Sequence, residues 1–231
     1  NAFLVSESSN LLILKWNLVS IKVARSYFLM KSAPIVVAFG IWIPMKNWTR
    51  EMLFEQTGLP WIATSPNIPT ETSAFCYAAT GIVGDMNVSV GIGTTKPFEY
   101  VGAPWLDKLD FAAKLNALEM PGVIFRPVAF ILNYGMYAGE LCQGVQMHIT
   151  DKRSFQPAHV GAQMVRLLMK DYSQRDLFPR RSSDGYKIDI ALGESSLRYA
   201  EIPLGDIFNR WDRENAYFAE KAQPYLLYPL K

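Results

Sequence analysis

The sequence predicts an α+β fold with a mixed or antiparallel, partly barrel-like sheet and about three packing helices. Three observations carry that prediction. Half of the 231 residues are hydrophobic and 19% are charged, enough apolar material to bury a core. Short strand-like runs interleave irregularly with helical stripes instead of following a regular βαβ winding. No internal repeat, heptad or low-complexity tract suggests a fibrous or solenoid alternative.

Residues 1–45 read as a separate apolar, β-rich segment, with Leu11–Leu14 and Ile35–Ile43 as strand-like runs. The most membrane-like stretch, Ala33–Met45, is about a dozen residues, short of the ~20 that a hydrocarbon core requires, so a buried strand and no membrane span are expected. The chain opens on Asn1 and not on Met, which leaves room for a start codon, signal peptide or upstream domain.

From Lys46 to Lys231 a second segment follows. Trp48, Met52 and Phe54 form the apolar side of a short helix that stops at Gly58 and Pro60. The Pro- and Ser/Thr-rich TSPNIPTETS stretch (64–73) reads as an ordered loop, the kind of segment on which sites are built. Gly91, Gly93 and Gly102, with Pro97 and Pro104, assign 87–104 to loop conformations. A helix is expected over Trp105–Met120, with Phe111, Leu115 and Leu118 on one side and Pro121-Gly122 as the stop.

Stretches 122–135 and 144–151 read as extended. In the latter, Val145, Met147 and Ile149 face one way and Gln146, His148 and Thr150 the other. Pro157 opens a helix to about Tyr172 with a Val160, Met164, Leu167, Leu168 stripe. A last helix from Leu204 to about Lys221 buries Leu204, Ile207, Phe208, Trp211 and Phe218, and the QPYLLYPLK tail docks.

A net charge of +2 with no Lys/Arg run beyond two residues argues against a nucleic-acid partner, because phosphate neutralisation needs dense basic patches. Cys76 and Cys142 make either one disulfide or two buried thiols; free buried thiols are the expected reading. His148 and His159 are the two imidazoles, and neither they nor the cysteines have metal-motif spacing, so no structural metal and no cofactor are expected. The GIGTTKPFE stretch (91–99) fails both phosphate-loop spacings, and Pro97 opposes an immediate helix after Lys96. Six Trp, 11 Tyr and 13 Phe suffice to line a sugar cleft, although aromatics serve equally as core.

Glycoside hydrolysis uses two carboxyl groups roughly 5–10 Å apart, a distance that spacing along the chain does not reveal. Asp85, Glu99, Glu140 and Asp151 are the carboxylates in motif-like loops. Glu140, beside the turn-like GMYAGE, is the catalytic candidate, with a solvated or N-capping role as its alternative. His148 suits either proton transfer or a hydrogen bond to a sugar hydroxyl, against the blander expectation of a half-buried imidazole bonded to a backbone carbonyl.

Longer strings carry a resemblance. TGLPWIATSPNIPTETSAFCYAATG (57–81), GIGTTKPFEYVGAPWLD (91–107), YAGELCQGVQMHITDKRSFQP (137–157) and the terminal YLLY occur in an order that resembles the NamZ family of exo-β-N-acetylmuramidases. The resemblance covers about residues 46–231 and implies the family's C-terminal domain. It further implies release of N-acetylmuramic acid from muropeptides or muramic glycosides, in a periplasmic or secreted setting. The cleft would lie against a Rossmann-like N-terminal domain bearing the catalytic glutamates, a domain not recognisable in residues 1–45, which read as a divergent segment or as a remnant of it.

Counterparts of the family's residues remain at Ser65, Pro66, Asn67, Thr94, Thr95, Lys96, Glu99, Glu140 and His148. Of these, Asn67, Thr94, Thr95, Lys96 and His148 are expected to touch the sugar or its lactyl carboxylate. The family's E-G-T-N-L-S-E-G-R-G-T-T loop is changed here: Gly84, Val90 and Ile92 stand where it has two glutamates and an arginine, and Tyr77-Ala78-Ala79-Thr80 replaces Tyr-Pro-Gly-Thr. The expected function is therefore that of a cleft-forming domain, with a non-catalytic relic or a sugar-binding or structural domain as the alternative.

Overall fold

The computed structural model describes residues 44–181 and 185–228, which fall into two compact units. The strand-like runs expected at Leu11–Leu14 and Ile35–Ile43 lie outside the described residues.

The larger unit, Trp61–Phe208, is organised by a three-stranded antiparallel sheet in the order β1 (Tyr100–Ala103), β3 (Leu141–Ile149), β2 (Val123–Ile131). The central position of β3 explains its burial: Cys142, Val145 and Met147 are fully enclosed. Register pairs Val101 with Val145 and Phe125 with Met147, so apolar side chains from all three strands share one face. Helix α2 (Lys108–Asn116) packs against β2 and β3 and contributes buried Phe111 and Leu115. Asn116 ties it down, donating to the Phe125 carbonyl at 2.8 Å and accepting from the Phe125 amide at 2.9 Å.

On the opposite face, the hairpin end of the sheet is apolar: Phe130, Leu132 and Cys142 cluster with Tyr100, Val128 and Tyr137. Further along the strands this face turns polar, with Arg126 paired to Gln146 and Ile124 to His148. Two more helices, α1 (Glu71–Thr80) and α3 (Pro157–Asp171), pack on each other. Their approach is so close that a Cβ on Gly161 would meet the Ala79 carbonyl at 2.3 Å. Helix α4 (Lys187–Leu192) buries Ile188, and α5 (Leu204–Ala222) begins in this unit, with Ile207 enclosed.

The smaller unit, Asn1–Pro60 with Asn209–Lys231, contains the rest of α5. There the Tyr228 ring packs edge-on against Trp48 at 4.5 Å and its carbonyl accepts from the Arg50 guanidinium. The tail thus docks through Tyr228, while Tyr225 and Leu227 stay exposed.

An α+β arrangement with a mixed or antiparallel sheet is what the sequence predicts; the sheet is antiparallel, and β2, β3, α3 and α5 form where periodicity places them. Several details differ. The described residues contain five α-helices, not three, and the sheet is open instead of partly barrel-like. The helix expected after Lys46 reduces to one 3₁₀ turn, Phe54–Thr57, ended by Gly58 at φ +69°. The helix expected over Trp105–Met120 starts only at Lys108, because the Asp107 carboxylate accepts from the amides of Leu109 and Asp110.

Two elements lie in stretches read as loop. α1 starts at Glu71, capped by Thr70, whose hydroxyl accepts from the Ser73 amide. β1 occupies Tyr100–Ala103 despite Gly102, which faces Gly144 across the ladder; a Cβ at Gly144 would lie 1.9 Å from the Val101 carbonyl oxygen. Glycine there is a requirement of close backbone approach rather than a loop signal.

Candidate ligand-binding face

The polar part of the sheet face is built around a buried carboxylate. Glu99 precedes β1, and its amide and the Tyr100 amide both donate to the Lys96 carbonyl. That turn swings the side chain under the sheet surface, where the residue is 3% exposed. Lys96 Nζ lies 3.2 Å from Oε2 and 3.4 Å from Oε1 of Glu99. Gln146 donates from Nε2 to Oε2 at 3.2 Å, and the Ser73 hydroxyl reaches Oε1 at 3.5 Å. Ser73 is joined in turn to the Thr70 hydroxyl at 3.0 Å, so the N-terminus of α1 closes one side.

On the other side, Gln146 Oε1 accepts from an Arg126 Nη at 2.6 Å. A buried charge requires such partners, since desolvation without them costs several kcal/mol. Lys96 keeps 42% of its side chain exposed, so this ion pair has one end in solvent.

Asn67 accepts from the Tyr134 hydroxyl at 2.9 Å through Oδ1, which fixes loop 65–70 against the β2–β3 connection. Gly93, at φ +97°, lies against the same connection: its carbonyl accepts from the Asn133 amide. Thr94 is spent on its own turn, donating to the Gly91 carbonyl at 2.7 Å and accepting from the Lys96 amide at 3.0 Å. Thr95 is exposed beside Lys96. His148 is half-buried two residues beyond Gln146 on the same strand face. Its Nε2 is enclosed without a hydrogen-bond partner, so the backbone-carbonyl bond expected for the imidazole is not made there.

The four candidate carboxylates sit in unlike surroundings. Glu140 is exposed on the β2–β3 connection, and among the described residues nothing bonds it to the Glu99 cluster. Asp151 serves its own turn: the Ser154 hydroxyl at 2.6 Å and the Arg153 amide at 2.9 Å hold its carboxyl below the usual range. Burial pushes the Asp85 carboxyl up, opposed by the charge of Lys187.

Both thiols are free and buried. Burial, with the Glu99 charge beside it, drives Cys76 far above the ordinary thiol range; burial and the Glu140 charge push Cys142 up to about 11. Among the described residues no three His, Cys, Asp or Glu are grouped to hold a metal, and no helix is long and apolar enough to cross a membrane.

Sequence reasoning singles out Lys96, Glu99, Asn67 and His148 in this region but not Thr70, Ser73, Gln146 and Arg126, which the structure gathers around Glu99. The available signals were the Thr70–Ser73 capping spacing and an arginine inside an otherwise apolar strand.

Comparison with known proteins identifies the family. The family model described as exo-beta-N-acetylmuramidase NamZ, C-terminal, matches residues 75–228, and the corresponding N-terminal model matches 30–72. Part of that N-terminal domain is therefore recognisable across residue 46, where the texture of the sequence changes. The chain is 35% identical over 190 residues to the peptidoglycan beta-N-acetylmuramidase NamZ of Bacillus subtilis (strain 168), covering 80% of this chain and 45% of that protein.

A crystal structure of a DUF1343 family protein from Bacteroides fragilis superimposes with a TM-score of 0.68 at 32% identity, covering 78% of this chain and 48% of the other. A second from the same organism gives 0.51 at 21%, covering 80% and 48%, a likeness of fold alone. The chain spans less than half the length of each of these relatives.

Proposed function

This chain belongs to the NamZ family, and on that premise we propose that it processes N-acetylmuramic-acid-containing peptidoglycan fragments as the cleft-forming domain of an exo-β-N-acetylmuramidase. The observation that carries the reading is Lys96. Its ammonium is half exposed yet held in place by a buried carboxylate, a fixed positive charge suited to the lactyl carboxylate that distinguishes muramic acid from a neutral amino sugar.

Around it, Thr95 offers a free-standing exposed hydroxyl and Asn67 a side chain positioned by Tyr134. His148 contributes through its enclosed nitrogen only once the groups covering it move. The same proposal carries a periplasmic or secreted setting, where peptidoglycan lies.

The test is release of N-acetylmuramic acid from a chromogenic muramic glycoside by this chain and by one extended upstream. Release only by the longer chain is the expected result. Release by this chain alone would assign catalysis to its own carboxylates, Glu140 among them.

A second reading, a domain that keeps the fold without turnover, is favoured by one contact. Val90 is 7% exposed, and a Cβ at Gly84 would lie 3.3 Å from it. Two glutamates of the resembling family loop are thus replaced by a small residue and an apolar neighbour packed together. No release by either chain, with binding of N-acetylmuramic acid retained, would decide for this reading.

A further inference from the structure

We propose that Arg126 is the second cation of an anion seat shared with Lys96, and that the seat takes the carboxylate of an acidic sugar; the choice of sugar rests on the family reading above. The geometry is a bridge of three bonds. Lys96 stands 3.2 Å from Glu99, Glu99 accepts from Gln146 at 3.2 Å, and Gln146 accepts from Arg126 at 2.6 Å. The amide can serve the bridge in one orientation only, its oxygen toward the guanidinium and its nitrogen toward the carboxylate. Gln146 is 6% exposed and Glu99 is 3% exposed, so the bridge is rigid while the two cations at its ends reach solvent.

Charge supports an anionic ligand. Lys96 pairs with Glu99 directly and Arg126 is linked to it only through Gln146, so these two cations and one carboxylate leave the cluster one positive charge in excess. Arg126 has five N–H donors, of which the bond to Gln146 uses one, and among the described residues the guanidinium makes no other hydrogen bond or ion pair. A planar fork with free donors on a pre-set support suits a carboxylate better than a lone exposed arginine does, because less rotamer freedom is lost on binding. Ile124, two residues away on the same strand face and 54% exposed, supplies apolar surface next to the fork.

Arg126 is the binding residue here, and Gln146 is a positioning residue. The test is calorimetric titration of the chain with N-acetylmuramic acid, its neutral methyl ester and N-acetylglucosamine. The wild type is expected to prefer the acid over both neutral sugars. Arg126→Gln should weaken the acid about tenfold to a hundredfold and leave the ester unchanged, erasing the preference. Arg126→Lys should recover part of it, and Gln146→Leu should lose it with Arg126 present.

An Arg126→Gln protein that keeps the preference overturns the seat and leaves the family reading intact. A wild type that binds acid and ester equally overturns the seat and, with it, the lactyl-carboxylate role given to Lys96. A wild type that binds none of the three overturns both the seat and the family reading.

Discussion

Gln146 Nε2 on β3 donates at 3.2 Å to Oε2 of Glu99, in the turn that leads into β1, and both residues are buried. Together with the Met147 amide, which donates to the Glu99 carbonyl at 2.8 Å, that bond joins the loop carrying Lys96 to the central strand and couples stability to the candidate site. Glu99→Ala would strand Gln146, Ser73 and Lys96 without their acceptor. The expected cost is about 2–3 kcal/mol, below the figure for a fully buried ion pair because Lys96 is partly solvated. Urea unfolding measures it, and a loss under about 0.5 kcal/mol would show that water replaces the carboxylate freely.

Gly144→Ala should be more severe. The added methyl would sit 1.9 Å from the Val101 carbonyl oxygen and 2.6 Å from Gly102 Cα, both backbone atoms that cannot rotate away. Separation of β1 from β3 should cost more than about 3 kcal/mol. Amide exchange across Tyr100–Ala103 would report it; protection equal to wild type would mean that β1 tolerates the shift.

Cys76 and Cys142 should resist thiol reagents at pH 8 in the native state and react on unfolding, since burial raises both. The sign for stability follows from proton binding. Above the unfolded thiol value of about 8.5 the unfolded chain loses protons that the folded chain keeps, so stability falls as pH rises, by up to about 1.4 kcal/mol per unit per thiol. Below that value the thiols contribute no pH dependence. Rapid native labelling at pH 8 would contradict the burial.

His148→Leu should leave stability unchanged or raise it by up to about 1 kcal/mol, because the imidazole Nε2 is enclosed without a partner and an apolar side chain removes that deficit. Thermal unfolding decides. A loss above about 1 kcal/mol would mean that the nitrogen is satisfied in solution, by ordered water for instance.

Asp107→Ala should cost about 1 kcal/mol, the usual effect of losing an N-cap, here one with bonds of 2.8 and 3.1 Å to the Leu109 and Asp110 amides. An unchanged denaturation midpoint would show that the first turn of α2 is held by packing alone.

The sequence by itself determined what depends on local period and composition. The stripe Val160, Met164, Leu168 places α3, the alternation Val145, Met147 places β3, and the long ordered strings identify the family. Tertiary structure alone decided what depends on residues far apart meeting. α1 has no single apolar side to read, since Ser73, Ala74, Phe75, Cys76, Ala79 and Thr80 are all buried, enclosed by neighbours that its own sequence does not specify. β1 pairs closely with β3 because Gly102 meets Gly144, and the polar cluster of Glu99, Gln146 and Arg126 forms because three segments far apart in the chain are placed side by side. Periodicity is a property of a few consecutive residues, whereas register and the company of a buried charge are properties of the packed chain.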